Sequence, residues 1–203
     1  MEEKMISYIL IDGENFAHKI VSVLVMQKVI RDRQKLKRIE VGQLFDKDIF
    51  ENSIKNYYAT IIRLPKRNHP LYKKVEEIRA WNHFWVPYIA NQNINYIKAG
   101  YLRIRDGKKC IKCGAKTEVL SEKGVDVRMA VDIVNLARKN TRIFVVSSDT
   151  DLVPAIIAAK QRSAEVIYVA FKDQEVKLLE KTASKTIFIK NSQVKKAYKE
   201  ANK

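Results

Sequence analysis

Short apolar segments alternate with helical patterns along the chain, and this alternation restricts the fold more than any other feature does. The predicted strands are residues 7–11, 57–64, 94–97, 142–147, 166–171 and 186–189. Apolar residues at helical spacing predict helices that begin after residue 12 and cover residues 71–88, 123–139, 152–161 and 173–181. Strands that alternate with helices indicate an α/β domain whose central sheet is mainly parallel.

The length of 203 residues fits one domain with a small insertion. We assign residues 1–190 to this domain and place a β-hairpin insertion at about residues 100–120. A basic helix or tail, residues 191–203, follows. The polar segment 30–53 is expected to be a loop or a second insertion.

The charge of the chain concerns its partners. Lysine and arginine number 39 against 23 acidic residues, which gives a formal charge of +16. Such a surplus favours a polyanion, with nucleic acid first and an acidic membrane surface second. One basic cluster lies on the predicted hairpin, close to Tyr96 and Tyr101, whose rings suit stacking on unpaired bases. Its candidate phosphate-binding residues are Arg103, Arg105, Lys108 and Lys109.

The chain also lacks the patterns of exported and membrane proteins. Its longest apolar runs fall short of the ~18 residues that a membrane span needs. The acidic beginning does not resemble a secretory signal, and two cysteines do not form a disulfide framework. A cytoplasmic protein without membrane contact is therefore expected.

Acidic residues follow two predicted strands and open one predicted helix. Asp12 ends the first strand, Asp149 and Asp151 follow strand 142–147, and Asp126 projects onto the centre of an apolar helix stripe. Ligands of open α/β sheets bind beyond the carboxyl ends of the strands, so these acids are expected to share one pocket. Such a pocket could bind Mg²⁺ or Mn²⁺. The structural alternative is that each acid merely caps a turn or helix.

Three motifs in this order resemble the NYN domain, in the LabA-like branch of the PIN-like nucleases. They are Asp12-Gly-Glu-Asn15, Lys123-Gly-Val-Asp126 with Asp132 on the same helix, and Ser148-Asp-Thr-Asp151. The resemblance covers about residues 5–170. It implies a three-layer α/β/α, Rossmann-like fold of the PIN type and cleavage of RNA that depends on Mg²⁺ or Mn²⁺.

By position, the resemblance makes Asp12, Asp126, Asp149 and Asp151 both the catalytic acids and the metal ligands. It assigns Asn15 to support of the first Asp or to contact with substrate. Three other residues are expected to bind substrate or orient the metal shell: Ser147, Ser148 and Lys123. Ser148 stands where glycine is common in the family and Leu152 where phenylalanine is common. The sequence therefore predicts a metal-dependent ribonuclease.

Two alternatives to this prediction remain open. One is a module of the same fold that binds RNA or DNA without cleaving it, and the other is a structure-specific DNA nuclease. RNA is favoured over DNA as the partner.

Cys110 and Cys113 have the spacing of one zinc knuckle at the tip of the predicted hairpin. Zinc in structural sites takes four ligands, and this chain offers two cysteines. A Zn²⁺ half-site completed by a second chain in a homodimer is one alternative, and a tight turn with two reduced thiols is the other.

Overall fold

A seven-stranded sheet organises the chain. The computed structural model describes residues 5–32, 36, 38–109, 114 and 116–203. The strands are β1 (Ile6–Asp12), β2 (Ser53–Ile61), β3 (Asn95–Asp106), β4 (Glu118–Lys123), β5 (Thr141–Val146), β6 (Glu165–Phe171) and β7 (Lys185–Ile189). The helices are α1 (Gly13–Met26), α2 (Lys47–Glu51), α3 (Tyr72–Ala90), α4 (Val125–Leu136), α5 (Val153–Gln161), α6 (Lys177–Thr182) and α7 (Asn191–Ala201).

The spatial order of the strands is β4-β3-β2-β1-β5-β6-β7. All neighbours pair in parallel except β3 and β4, which form an antiparallel hairpin. The predicted α/β fold with a mainly parallel central sheet and an inserted hairpin is confirmed. Among the described residues, no helix has the length and apolar character that crossing a membrane requires.

The sheet divides the hydrophobic core into two layers, and the central strand β1 contributes side chains to both. Its successive side chains point to opposite faces of the sheet. Ile9 and Ile11 are buried against one set of helices, which includes α1, α3 and α7. Tyr8 and Leu10 are buried against α4, α5 and α6 on the other face. Because helices cover both faces, the strands can be almost continuously apolar, which explains their short apolar patterns in the sequence.

Two glycines lie side by side at the two ends of the hairpin. Gly100 has φ +66° and Gly124 has φ +106°, both in the left-handed region that favours glycine. A Cβ on Gly124 would lie 3.2 Å from the Cα of Gly100, so the two backbones nearly touch. The hairpin arms are residues 101–106 and 118–123. The predicted strand 94–97 is therefore only the first part of a much longer β3.

The described part of segment 30–53 is more regular than the expected loop. It contains a 3₁₀ turn, Val41–Leu44, and helix α2. Ile39, Val41 and Leu44 are buried in the core, and the Gln92 side chain binds this segment at two points. Its Oε1 accepts from the Val41 N–H at 2.7 Å, and its Nε2 donates to the Ile39 carbonyl at 2.9 Å. Scattered apolar residues without a regular period hid this packing from the sequence pattern.

Candidate active site

Three of the predicted acids lie together at the carboxyl edge of the sheet. One carboxylate oxygen each from Asp126, Asp149 and Asp151 lies within 4.8 Å of the other two. Asp126 begins α4, whereas Asp149 and Asp151 belong to the loop between β5 and α5. Asp126 and Asp149 are half-buried and Asp151 is exposed. Like charges at this distance repel one another, so the cluster favours a bound cation.

Asp12 lies beside this cluster and is more deeply buried, with 9% of its surface exposed. Its Oδ1 accepts the Asn15 N–H at 3.2 Å, which caps α1, and its Oδ2 accepts the Ser147 hydroxyl at 2.9 Å. Burial raises the pKa of the Asp12 carboxyl, and the nearby charge of Asp149 raises it further. The two hydrogen bonds lower the pKa and so oppose these effects.

Ser147 connects the first acid to the cluster. Its hydroxyl donates to Asp12 and accepts the Asp149 N–H at 3.1 Å. A second connection joins the start of α1 to the loop after β5, because the Asn15 Oδ1 accepts from Ser148 through its N–H at 3.2 Å and its hydroxyl at 2.9 Å. Asn15 and Ser148, which the resemblance places near substrate, are bound to each other in this structure. Together they hold the start of α1 against the loop after β5.

The turn after Asp12 is anchored from below by aromatic side chains. The Tyr57 hydroxyl donates to the Gly13 carbonyl at 2.9 Å, and the Trp85 indole N–H donates to the Tyr57 hydroxyl at 2.8 Å. A Cβ on Gly13 would lie 2.5 Å from the Tyr57 ring and 2.5 Å from the Tyr58 carbonyl oxygen. The position therefore requires glycine, because a Cβ has no space there. The two hydrogen bonds hold in place the turn that carries Asp12.

The capping alternative also describes part of the geometry. Asp149 Oδ1 accepts the Asp151 N–H at 2.9 Å and so caps the 3₁₀ turn Thr150–Leu152. Asp12 caps α1 in the same way. A capping bond occupies one oxygen of a carboxylate, so Asp149 keeps a second oxygen available to a cation.

Glu122 is an acid of this site that the sequence patterns missed. It lies on β4, is half-buried, and its Oε1 accepts the Val125 N–H at 3.1 Å at the start of α4. Burial raises the pKa of the Glu122 carboxyl, and the charges of Asp126 and Asp12 add to this rise. Glu122 falls beyond the predicted end of the hairpin at residue 120. The glycine at position 124 was the available signal that the strand continued.

Asp132 lies away from the cluster, on the flank of α4. It accepts the Tyr58 hydroxyl at 2.9 Å and forms an ion pair with Arg128 at 3.1 Å. The expected salt bridge on the helix flank is therefore present. Burial of the Tyr58 hydroxyl and its contact with Asp132 raise the pKa of this hydroxyl, so it remains a hydrogen-bond donor.

The predicted substrate-binding cations lie on the surface of the protein. Arg103, Arg105, Lys108, Lys109 and Lys123 are all exposed. Leu102 lines the groove described next, and alternate residues of a strand point to opposite faces, so Arg103 and Arg105 lie on the outer face of the hairpin. Cys110 and Cys113, the predicted zinc ligands, lie outside the described residues.

The acidic edge opens into a groove of about 460 Å³. Asp12, Glu122, Asp126 and Asp149 line one end of it. From there the groove runs between α3 and the hairpin, above the end of β2. A second cavity, of about 370 Å³, meets Asp12 and Glu122 from the side of α1 and is lined by the exposed His18 and by Lys19.

Comparisons with known proteins agree with this architecture. The model of the NYN domain matches residues 7–190. A protein of unknown function from Vibrio parahaemolyticus RIMD 2210633, VPA0982, has a similar structure with a TM-score of 0.53 at 16% identity, covering 93% of this chain and 95% of that one. A phosphofructokinase-2 mutant from Escherichia coli gives a TM-score of 0.37 at 9% identity, covering 81% and 54%. No curated protein matches the sequence.

The model of the NYN domain matches most of the chain, so the chain belongs to the NYN domain family. NYN domains belong to the PIN-like superfamily and are generally nucleases. The Vibrio protein shares the fold. The predicted family is thus confirmed, while its LabA-like branch stays a prediction.

Proposed function

We propose that this protein is a metal-dependent ribonuclease that hydrolyses phosphodiester bonds at its acidic edge. The observation that carries the proposal is the group of three carboxylates within 4.8 Å of one another, directly beside the buried Asp12. The NYN family supports a nuclease-type activity on nucleic acid. The charge of +16 supports a polyanionic substrate.

The donor atoms of the site suit a hard divalent cation. Asp126, Asp149 and Asp151 offer only carboxylate oxygens, the ligands that Mg²⁺ and Mn²⁺ prefer, and Asp12 stands next to them as a fourth. When bound, such an ion would polarise the phosphate and lower the pKa of a water molecule that attacks it. The chain's own residues fix the positions of these acids and hold the neighbouring phosphates.

In this proposal, the hydrogen bonds around the site hold the acids in position. Ser147 sets the separation of Asp12 from Asp149, and the hydrogen bond from Tyr57 to the Gly13 carbonyl holds Asp12 in its buried position. Lys123 and the hairpin cations would neutralise flanking phosphates that the acidic cluster alone would repel. Catalysis of this kind depends on groups that are already in place before the substrate binds.

The remaining parts of the proposal come from the sequence. We propose residues 1–190 as the nuclease domain, and α7 closes it by burying Val194 and Ala197 against the core. We propose RNA as the preferred substrate and a cytoplasmic location on the basis of the sequence alone. A homodimer joined through the hairpin, with Zn²⁺ at Cys110 and Cys113, is kept as a prediction about residues outside the described part of the chain.

The test is a cleavage assay with labelled single-stranded RNA in the presence of Mn²⁺, Mg²⁺ or EDTA. The wild type should cleave only with a divalent metal, and the Asp126→Asn/Asp149→Asn variant should not cleave. The Asp46→Asn/Asp48→Asn variant, altered on the exposed start of α2, is the matched control and should cleave normally. Preferential cleavage of matched DNA would indicate a DNA nuclease. Binding without cleavage under all metals would indicate a binding module.

A further inference from the structure

The groove beside the acidic cluster continues well past the carboxylates. Its acidic end contains Asp126 and Asp149, and the same open space extends over the carboxyl end of β2. A chain whose phosphate lies at the acids would therefore pass its adjoining nucleotide over this groove. This continuity, and not the apolar character alone, points to an occupant.

Apolar side chains predominate in the walls of the groove, which also carry the Glu118 carboxylate on the hairpin side. Helix α3 contributes Ile78 and Trp81, the hairpin contributes Leu102 and Leu120, and Ile62 follows β2. Trp81 is rigidly held, because it stacks on Trp85 with centroids 5.0 Å apart and donates its indole N–H to the Leu36 carbonyl at 3.0 Å. Apolar and aromatic walls suit the flat face of a nucleobase, and a phosphate or ribose gains nothing from them.

The rim supplies the polar and charged groups that a nucleotide needs. Lys74 on α3 is exposed and lines the groove, and the half-buried amide of Asn82 lies in its wall. The volume of about 460 Å³ is within the ~300–1,000 Å³ typical of small-molecule pockets.

We propose that this groove binds an unpaired nucleobase of a nucleotide next to the cleaved phosphate. The bases of a duplex are stacked and paired, and their faces cannot reach the apolar walls. The proposal rests on the proposed function for the position of the strand. It adds a binding subsite built from α3 and the hairpin, outside the acidic cluster.

The experiment measures binding in EDTA with the Asp126→Asn/Asp149→Asn variant, so that cleavage plays no part. A series of RNA 12-mers carries one abasic site that moves by one nucleotide from strand to strand. We expect one position, or two adjacent ones, to weaken binding about tenfold, since stacking of one base contributes about 1–3 kcal/mol. Adding Leu120→Trp, which fills the groove, should remove this position dependence. Leu178→Trp on the exposed face of α6 is the matched control and should retain it.

Thermal melting verifies that both tryptophan variants fold, and Leu102→Trp offers a second way to fill the groove. Equal binding of all abasic strands would overturn the subsite, while metal-dependent cleavage by the wild type would still support the nuclease. A position effect without any cleavage would support the subsite and contradict the proposed activity. If Leu120→Trp instead changes the oligomeric state in sedimentation and leaves RNA binding intact, the groove is a contact between two copies of the chain, and the proposal fails.

Discussion

The acidic edge and the basic hairpin differ in burial and in hydrogen bonding. At the edge, Asp12 and Ser147 are buried, and the Ser147 hydroxyl joins Asp12 at the end of β1 to the Asp149 N–H in the loop after β5 through hydrogen bonds of 2.9 and 3.1 Å. On the hairpin, Arg103 and Arg105 are exposed on β3, and Lys108 is exposed beyond the end of that strand, at one end of the sheet. A buried network should fail as a unit when one member is lost, whereas exposed cations should contribute small and independent amounts.

The largest difference should come from Asp149→Asn, which removes one charge from the cluster of three acids. We expect the transition state to lose several kcal/mol of metal-dependent stabilisation, so the cleavage rate should be about a thousandfold lower. RNA affinity in EDTA should not fall, because a repelling carboxylate has been neutralised. Single-turnover kinetics and binding titrations measure the two quantities. A rate within tenfold of wild type would contradict the assignment of Asp149.

A smaller loss is expected for Ser147→Ala, because its hydroxyl binds both Asp12 and the Asp149 N–H. A hydrogen bond to a charged group contributes about 1.5–3 kcal/mol, so the cleavage rate should fall at least about tenfold. Ser147→Thr keeps the hydroxyl and should restore most of the activity. Ser22→Ala on the exposed side of α1 is the control. Equal rates for Ala and Thr would show that the hydroxyl is dispensable.

Gly13→Ala tests whether the acidic edge is sterically tight. The new Cβ would approach the Tyr57 ring and the Tyr58 carbonyl at 2.5 Å, and overpacking of this kind lowers the free energy of unfolding by about 1–3 kcal/mol. Gly42→Ala is a milder comparison, because its Cβ would meet only the Phe50 ring, at 3.2 Å. Urea denaturation measures both. Equal midpoints for the two variants would contradict the tight packing.

The smallest and most gradual effect should belong to the hairpin. Lys108→Gln/Lys109→Gln should weaken RNA binding a few-fold without sequence preference. If both lysines contact phosphates, the slope of log K against log salt should fall by about 1.4. Lys181→Gln/Lys185→Gln, at the opposite end of the sheet, is the matched control. An unchanged slope would indicate that the hairpin does not touch the nucleic acid.

The two regions also differ in how far the sequence could predict them. The acidic edge could be predicted from the sequence, because β1 and β5 are short buried strands whose carboxyl ends must meet at one edge of a parallel sheet. Asp12, Asp126 and Asp149 therefore came together as expected. Asp151, which follows the same strand as Asp149, lies with Asp126 and Asp149, whereas the separate, more buried position of Asp12 depends on side-chain hydrogen bonds that no spacing reveals.

The hairpin was only partly accessible from the sequence. Its existence was predicted, but its length was set by Gly100 and Gly124, whose close approach is a tertiary contact. For the same reason Glu122 was missed, because its place in the site follows from β4 continuing to Lys123. The groove joins α3 to the hairpin across residues that are distant in sequence, so no local pattern could have shown it.

The near contact of Gly100 with Gly124 has a consequence for how such domains diverge. The chain enters and leaves the β3–β4 hairpin at almost the same point, because Gly100 and Gly124 lie side by side and the strands between them pair with each other at the end of the sheet. A hairpin with such closely spaced ends can be shortened, extended or exchanged between relatives without rerouting β2 or α4. In the proposed nuclease, the groove wall formed by Leu102 and Leu120 can therefore diverge while Asp126, Asp149 and Asp151 keep their positions.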